Sequence, residues 1–173
     1  MSNVAIVGFM GTGKSAVAIS LSQKLNKTYV STDDLIVLQE NSTIHDIFKN
    51  KGEPYFRKVE SEMVRKVSEM EDVVIDCGGG VVINEENIKN LKKKGPVVCL
   101  TASPAVIYER VKEHRHRPLL NVPDPKGAIA RLLKERETFY ARADFSIDTT
   151  PLTVEQVISK ILTLLKEKTH GRA

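Results

Sequence analysis

Cysteine occurs only twice in these 173 residues, as Cys77 and Cys99, and both fall inside apolar, strand-like runs without metal-ligand spacing. That pattern excludes a disulfide framework and points to buried, reduced packing residues. No apolar run approaches the ~20 residues a helix needs to span a bilayer. The chain enters its first apolar stretch without a charged leader or cleavage site, so a cytoplasmic location is the expectation. A dense basic patch is missing too. The net charge of +4 suits a polyphosphate and an anionic substrate rather than a nucleic acid. Internal repeats, low-complexity linkers and a second-domain boundary are absent, which leaves one domain over residues 1–173, large enough to bury a sizeable core.

What is present concentrates first in Gly8-Phe9-Met10-Gly11-Thr12-Gly13-Lys14-Ser15, a full match to the phosphate-cradling pattern G-x-x-x-x-G-K-[ST]. Residue frequencies would produce that string by chance in roughly one chain of this length in a hundred or two hundred. Its flanks fit as well. Val4 to Val7 is a β-branched run of strand length, and Lys14 to Leu25 puts Val17, Leu21 and Leu25 on one helical face. Glycines let backbone N–H groups turn toward a polyphosphate, and the helix N-terminus adds its partial positive charge. Gly11, Thr12, Gly13, Lys14, Ser15 and Ala16 are therefore the candidate ATP contacts, with Lys14 on the β- and γ-phosphates and the Ser15 hydroxyl on Mg²⁺.

Short apolar runs then alternate with amphipathic stretches. Strands are expected at Ala5 to Val7, Tyr29 to Ser31, Val73 to Asp76, Val97 to Thr101 and Phe145 to Ile147, and helices near 34–49, 54–70, 84–94, 104–113, 126–141 and 154–167. Strands each followed by a helix argue for a parallel α/β sheet. Asn84 reads as an N-cap, Gly95-Pro96 as a stop, and Thr153 with Gln156 as a capping box. Lys92-Lys93-Lys94 fits a solvated helix end better than a binding patch.

Four further stretches carry chemistry. Ser31-Thr32-Asp33-Asp34 ends the second strand, where carboxylates face the ligand crevice of an open α/β sheet. Asp33 is the candidate to orient and deprotonate an acceptor hydroxyl, and Asp34 the candidate helix cap. Phe56, Val59, Met63, Val67 and Met70 form a core stripe that leaves Arg57 and Glu60 together on another face, where a surface ion pair worth a few tenths of a kcal/mol would look the same. Gly78-Gly79-Gly80 follows the apolar strand that ends at Asp76. Three glycines there imply that something must approach the main chain, a role a bound substrate would fill, while Asp76 either caps a turn or serves the metal. Last, Arg110, Arg115, His116 and Arg117 run into a proline-containing loop that reads as a mobile lid over about residues 112–125, followed by Arg136 one turn before Tyr140.

In combination these stretches resemble the shikimate kinase family over nearly the whole chain: the phosphate loop, Asp33, the Asp46-Ile47-Phe48 to Glu60 block with Phe56-Arg57, Gly78-Gly79-Gly80, Arg117-Pro118-Leu119-Leu120, and Arg136 with Tyr140. The resemblance implies a P-loop NTPase of the nucleoside-monophosphate-kinase-like α/β fold, with a five-stranded parallel sheet flanked by helices. It implies transfer of the γ-phosphoryl of ATP, with Mg²⁺, to the 3-hydroxyl of shikimate. A monomer without nucleic-acid or membrane partners is the expectation. Asp33, Arg57, Gly78, Gly79, Gly80 and Arg136 would hold shikimate, with both arginines on its carboxylate. Arg117 would stabilise the transferring phosphate from the lid, and Arg110 would lie near the adenine. One departure stands out: the family usually carries Asp-x-Asp at the end of the second strand, and Ser31 replaces the first of them, while Asp76 stands where Ser or Thr is more usual. The expectation is that Asp76 compensates for Ser31 in metal handling. A gluconate-type or nucleotide kinase would share the loop and sheet but has no need of two arginines with a glycine triplet. A guanine-nucleotide switch would need an Asn-Lys-x-Asp or Thr-Lys-x-Asp that does not occur.

Overall fold

The computed structural model describes residues 2–113 and 122–170. Its sheet grows outward from the β-branched run Val4–Gly8 (β1). Val4 and Ile6 enter one core and Ala5 and Val7 the other, as the two-residue period of a strand requires. Thr28–Ser31 (β2), Val73–Asp76 (β3), Val97–Thr101 (β4) and Phe145–Asp148 (β5) join it in parallel, in the order β2-β3-β1-β4-β5. The near-continuous apolar sequences of β1, β3 and β4 follow from burial on both faces.

Seven helices cover the sheet among the described residues. Lys14–Leu25 (α1) and Val154–His170 (α7) lie on the face of Val4 and Ile6 and bury Val17, Leu21, Val157, Ile158 and Ile161 there. Thr32–Glu40 (α2), Ile44–Ser68 (α3), Glu85–Lys92 (α4), Pro104–Val111 (α5) and Pro125–Tyr140 (α6) cover the other face with Ile36, Ile47, Phe56, Leu91, Ile107 and Ile129. None of the described helices is long and apolar enough to cross a membrane.

The punctuation is mostly where the sequence puts it. The Asn84 side chain accepts from the Glu86 N–H at 3.0 Å, and Thr153 and Gln156 exchange the two bonds of a capping box at 2.9 and 3.3 Å. Lys92 pairs with Asp144, and Lys94 with Glu71 and the Glu69 carbonyl, so the lysine run ties a helix end to the body.

Four expectations are corrected. The single helix near 34–49 is two, because Asn41 turns into the left-handed region (φ 48°, ψ 40°) and Thr43 caps a new start by accepting from the Asp46 N–H. The second of these runs on to Ser68 through a bend at Gly52 (φ 80°, ψ 167°), which puts Pro54 in the first turn of the resumed helix, where its missing N–H costs no hydrogen bond. The cap of α2 is Ser31, not Asp34: its hydroxyl accepts from the Asp34 N–H at 3.1 Å, leaving Asp33 and Asp34 in the first turn, where negative charge suits the helix dipole. Met70 lies beyond the end of α3 and is 40% exposed, outside the core stripe.

This topology positions the site. The connection out of β1 leaves toward β2 and that out of β3 toward β4, in opposite directions, so a crevice opens beyond the carboxyl ends of β1 and β3.

Candidate active site

The phosphate loop fills the gap between the central strand and α1. Gly13 adopts φ 92° as the N-cap of α1, a conformation that side chains other than Asn and Asp rarely reach. Thr12 is buried and its hydroxyl donates to the Phe9 carbonyl at 2.8 Å, locking the turn. The Lys14 ammonium donates to the same carbonyl at 3.0 Å. Ser15 and Ala16 lie exposed at the start of the helix.

The outer flank of the loop is braced from two directions. Arg110 on α5 donates to the Gly11 carbonyl at 3.1 Å and to the Thr149 hydroxyl and carbonyl at 3.2 Å each. Thr149, buried just after β5, has its hydroxyl 3.1 Å from the Thr12 carbonyl and 3.0 Å from the Thr101 carbonyl. Sequence reasoning missed Thr149, since nothing in Asp148-Thr149-Thr150 distinguishes it until the loop after β5 folds against β4 and the phosphate loop.

On the inner flank runs the glycine triplet, which adjoins the loop: a Cβ at Gly79 would sit in ordinary contact, 3.6 Å from the Met10 nitrogen. The triplet's lack of side chains also answers to neighbours within the protein. At Gly78 a Cβ would lie 2.5 Å from Asp33 Oδ1 and 3.1 Å from Glu60 Oε1, and at Gly80 2.6 Å from Arg57 Cζ. The Gly79 carbonyl accepts from Tyr140 at 3.1 Å and from Arg136 at 3.5 Å, with the Arg136 guanidinium 5.6 Å over the Phe9 ring. Burial pushes the Tyr140 phenol up to about 12, against the pull of Arg136, so it stays a donor.

Arg57 and Glu60 are not a surface pair. Glu60 is buried, and Arg57 reaches it at 2.9 Å while also holding Glu53 at 3.1 Å. Burial raises the Glu60 carboxyl above its ordinary value, and the Arg57 guanidinium only partly offsets this. Breaking such a buried pair costs about 3–5 kcal/mol, an order of magnitude beyond an exposed helical pair.

Asp76 closes the site at the end of β3. It is in register with Ser31 of β2 on one side and Ile6 of β1 on the other, and it is 6% exposed. The Tyr29 hydroxyl donates to its Oδ2 at 3.0 Å. Burial, then the Asp76 charge, push the Tyr29 phenol up to about 12. Thr32, fully buried, has its hydroxyl 3.3 Å from the Asp76 carbonyl and accepts from the Gly78 N–H at 3.1 Å, which stitches the end of β2 to the start of the triplet. Neither Tyr29 nor Thr32 was legible as a site residue; Thr32 sat in view between Ser31 and Asp33, but its partner lies 46 residues away. The Cys77 thiol beside them is buried and held well above its ordinary value, first by burial and then by Asp76, Asp33 and Glu60. Cys99, pushed up to about 12 by burial, is equally inert.

Met10, Lys14, Ser15, Asp33, Asp76 and Gly79 line one cleft of about 350 Å³ with Tyr29, Ser31 and Gly78. Arg57, Gly80 and Arg136 adjoin it through the triplet, and Arg110 stands behind the phosphate loop. Larger hollows of about 630 and 510 Å³ border β5 and contain none of the predicted residues. Arg117, with residues 114–121 of the expected lid, lies outside the described residues.

The family model described as shikimate kinase matches residues 10–166. The chain is 42% identical over 172 residues to a shikimate kinase of Thermodesulfovibrio yellowstonii, covering 99% of each. Its fold matches that of a shikimate kinase from Acinetobacter baumannii in complex with shikimate, with a TM-score of 0.92 and 30% identity over 97% of this chain and 94% of that one. It likewise matches the shikimate kinase of Aquifex aeolicus, with a TM-score of 0.84 and 36% identity over 96% and 98% of the two chains.

Proposed function

The chain belongs to the shikimate kinase family, and we propose from that premise how its own residues share the work of moving the γ-phosphoryl group of ATP onto the 3-hydroxyl of shikimate. The observation that carries the assignment is two guanidinium groups on one glycine run beside a phosphate loop: Arg57 packed on Gly80 and Arg136 on the Gly79 carbonyl. Two planar, fixed guanidinium groups suit a carboxylate, which the nucleotide does not have and shikimate does. Each charged contact is worth about 1.5–3 kcal/mol. Asp33, held against Gly78 at the mouth of the cleft, accepts from the ring hydroxyl and takes its proton as the phosphoryl group arrives. Lys14 neutralises charge on the transferring group, a role in which positioning and electrostatics dominate over covalent chemistry. Arg117 keeps the lid role that Arg117-Pro118-Leu119-Leu120 implies, and Arg110 holds the loop from the adenine side. One copy of the chain carries every residue named, so a monomer suffices.

The donor set suits Mg²⁺. The Ser15 hydroxyl and the Asp76 carboxylate line the same cleft as Lys14. An ion that keeps phosphate oxygens and waters as ligands needs only one or two protein groups. Bound there, Mg²⁺ would neutralise charge on the phosphate oxygens. Ser15 and Asp76 are the residues that would hold it, directly and through its water.

The test is ATP turnover with shikimate, gluconate and CMP as separate acceptors. Shikimate alone should support turnover, and Asp33→Asn should lower kcat about a hundredfold or more, the usual size of a general-base contribution. Equal turnover with gluconate or CMP would overturn the acceptor assignment, and full activity of the variant would overturn the base.

A further inference from the structure

Tyr29 takes no part in the reaction as described, yet its hydroxyl reaches into the active-site cleft and meets a carboxylate there. Parallel register explains the meeting. Ser31 is opposite Asp76 and Tyr29 opposite Val74, so with a two-residue period Tyr29, Ser31, Val74 and Asp76 share one face of the sheet. That face is the one covered by α1, because Val74 packs with Val17, Ala18 and Leu21. The first turn of α1 carries Lys14 and Ser15. The Asp76 carboxylate is thus on the phosphate-loop side of the sheet, buried at its strand end, and the phenol that bonds it stands one strand away, half-buried on the sheet edge.

We infer that Tyr29 is a positioning residue for metal handling: its hydroxyl fixes the Asp76 carboxylate through Oδ2 so that the carboxylate faces the water shell of the nucleotide-bound Mg²⁺. This deepens the reading of Asp76 given above and rests on it. A buried aspartate at a strand end swings about two side-chain bonds, and a water-mediated contact to a metal weakens when the acceptor turns out of line with the water. One bond to Oδ2 removes that freedom and leaves the acceptor capacity of the other oxygen. The same register says what the alternative would be. Moving the carboxylate to position 31 would set it across one strand from its present place, on the same face, where the Tyr29 bond to Asp76 is not needed. Carboxylates at both positions would oppose each other directly, which is unfavourable.

The experiment reads metal binding without turnover. Mn²⁺ is titrated into the enzyme saturated with ADP, free Mn²⁺ is followed by its EPR signal, and calorimetry gives the affinities for metal-free ADP and for shikimate. Tyr29→Phe should weaken Mn²⁺ about tenfold, the low end of what losing an outer partner costs, and leave both other affinities unchanged. In an Asp76→Asn background the same substitution should change nothing. A Ser31→Asp/Asp76→Ser variant should bind Mn²⁺ within about threefold of the parent and be insensitive to Tyr29→Phe. If Asp76→Asn weakens Mn²⁺ and Tyr29→Phe does not, the role of Tyr29 is overturned and that of Asp76 stands. If neither variant shifts the titration, both readings fall. Equal weakening of metal-free ADP by Tyr29→Phe, or an effect that persists without Asp76, would assign Tyr29 to strand packing instead.

Discussion

Gly80 has an ordinary negative φ of −103°, so its missing side chain answers to space and not to backbone conformation. The space is taken by Arg57, whose guanidinium carbon would lie 2.6 Å from a Cβ there. Since the displaced group is the end of a flexible side chain and not backbone, Gly80→Ala should still fold, at a cost below the ~3–5 kcal/mol of breaking the buried pair outright. The guanidinium cannot yield without loosening its bond to the buried Glu60. We expect the KM for shikimate to rise at least tenfold in Gly80→Ala while the KM for ATP stays within twofold, in line with loss of one charged contact; steady-state kinetics with each substrate varied would check it. The Arg57–Glu60 spacing was plain in the sequence, but whether it marks a surface pair or a buried one depends on what covers Glu60. That cover is Gly78 and the end of β3, contributed from a distant part of the chain.

At the scale of elements, the loop after β5 does more than join a strand to a helix. Thr149 links Arg110 of α5 and the carbonyls of Thr101 and Thr12, so the phosphate loop is tied to the far edge of the sheet through one hydroxyl. Replacing it by the isosteric valine removes the polar partner and leaves the shape, at a cost of about 1–3 kcal/mol for the groups left unpaired. Thr149→Val should raise the KM for ATP roughly three- to tenfold and leave the KM for shikimate unchanged, since the triplet and Arg136 are held from the other flank. Equal effects on both constants would mean that the loop sets the whole cleft and not the nucleotide side alone. All five strands could be read from β-branched runs to within a residue or two. The break at Asn41 was harder to read, because apolar spacing continues across it while one left-handed residue and a Thr43 cap end one helix and start the next.

For the molecule as a whole, Asp144 shows how the sheet and its two covering layers are fastened. Its carboxylate accepts from the Val97 N–H at 2.9 Å and from Lys168 of α7 at 2.9 Å, and pairs with Lys92 of α4 at 3.6 Å. Burial opposes its ionisation, but the Val97 N–H and the two lysines outweigh that and hold the carboxyl below the ordinary value of 3.8. A depressed carboxyl stabilises the fold above its unfolded value and loses that contribution as pH falls through the folded one. Asp144→Asn should therefore lower stability at pH 7 by about 1 kcal/mol after solvent screening, or a Tm change of about 2–4 °C. The gap to the parent should close as the pH falls well below 3.8; thermal melts across pH 2–7 would show it, and a gap constant with pH would mean that packing and not charge accounts for the loss.

The sequence by itself determined the phosphate loop, the alternation of strands and helices, and the residue types able to hold a carboxylate and a polyphosphate. These are local properties: a glycine pattern, a side-chain period and a guanidinium's geometry do not depend on distant residues. Only the tertiary structure decided that the glycine triplet makes room for Asp33 and Arg57, that Glu60 is buried, that Thr149 braces the loop and that Tyr29 meets Asp76. Each of those depends on how distant segments pack, and Tyr29 with Asp76 and Thr32 with Gly78, 47 and 46 positions apart, depend on parallel register and strand order. Register is set by how two buried faces pack together, so no single segment of the chain specifies it.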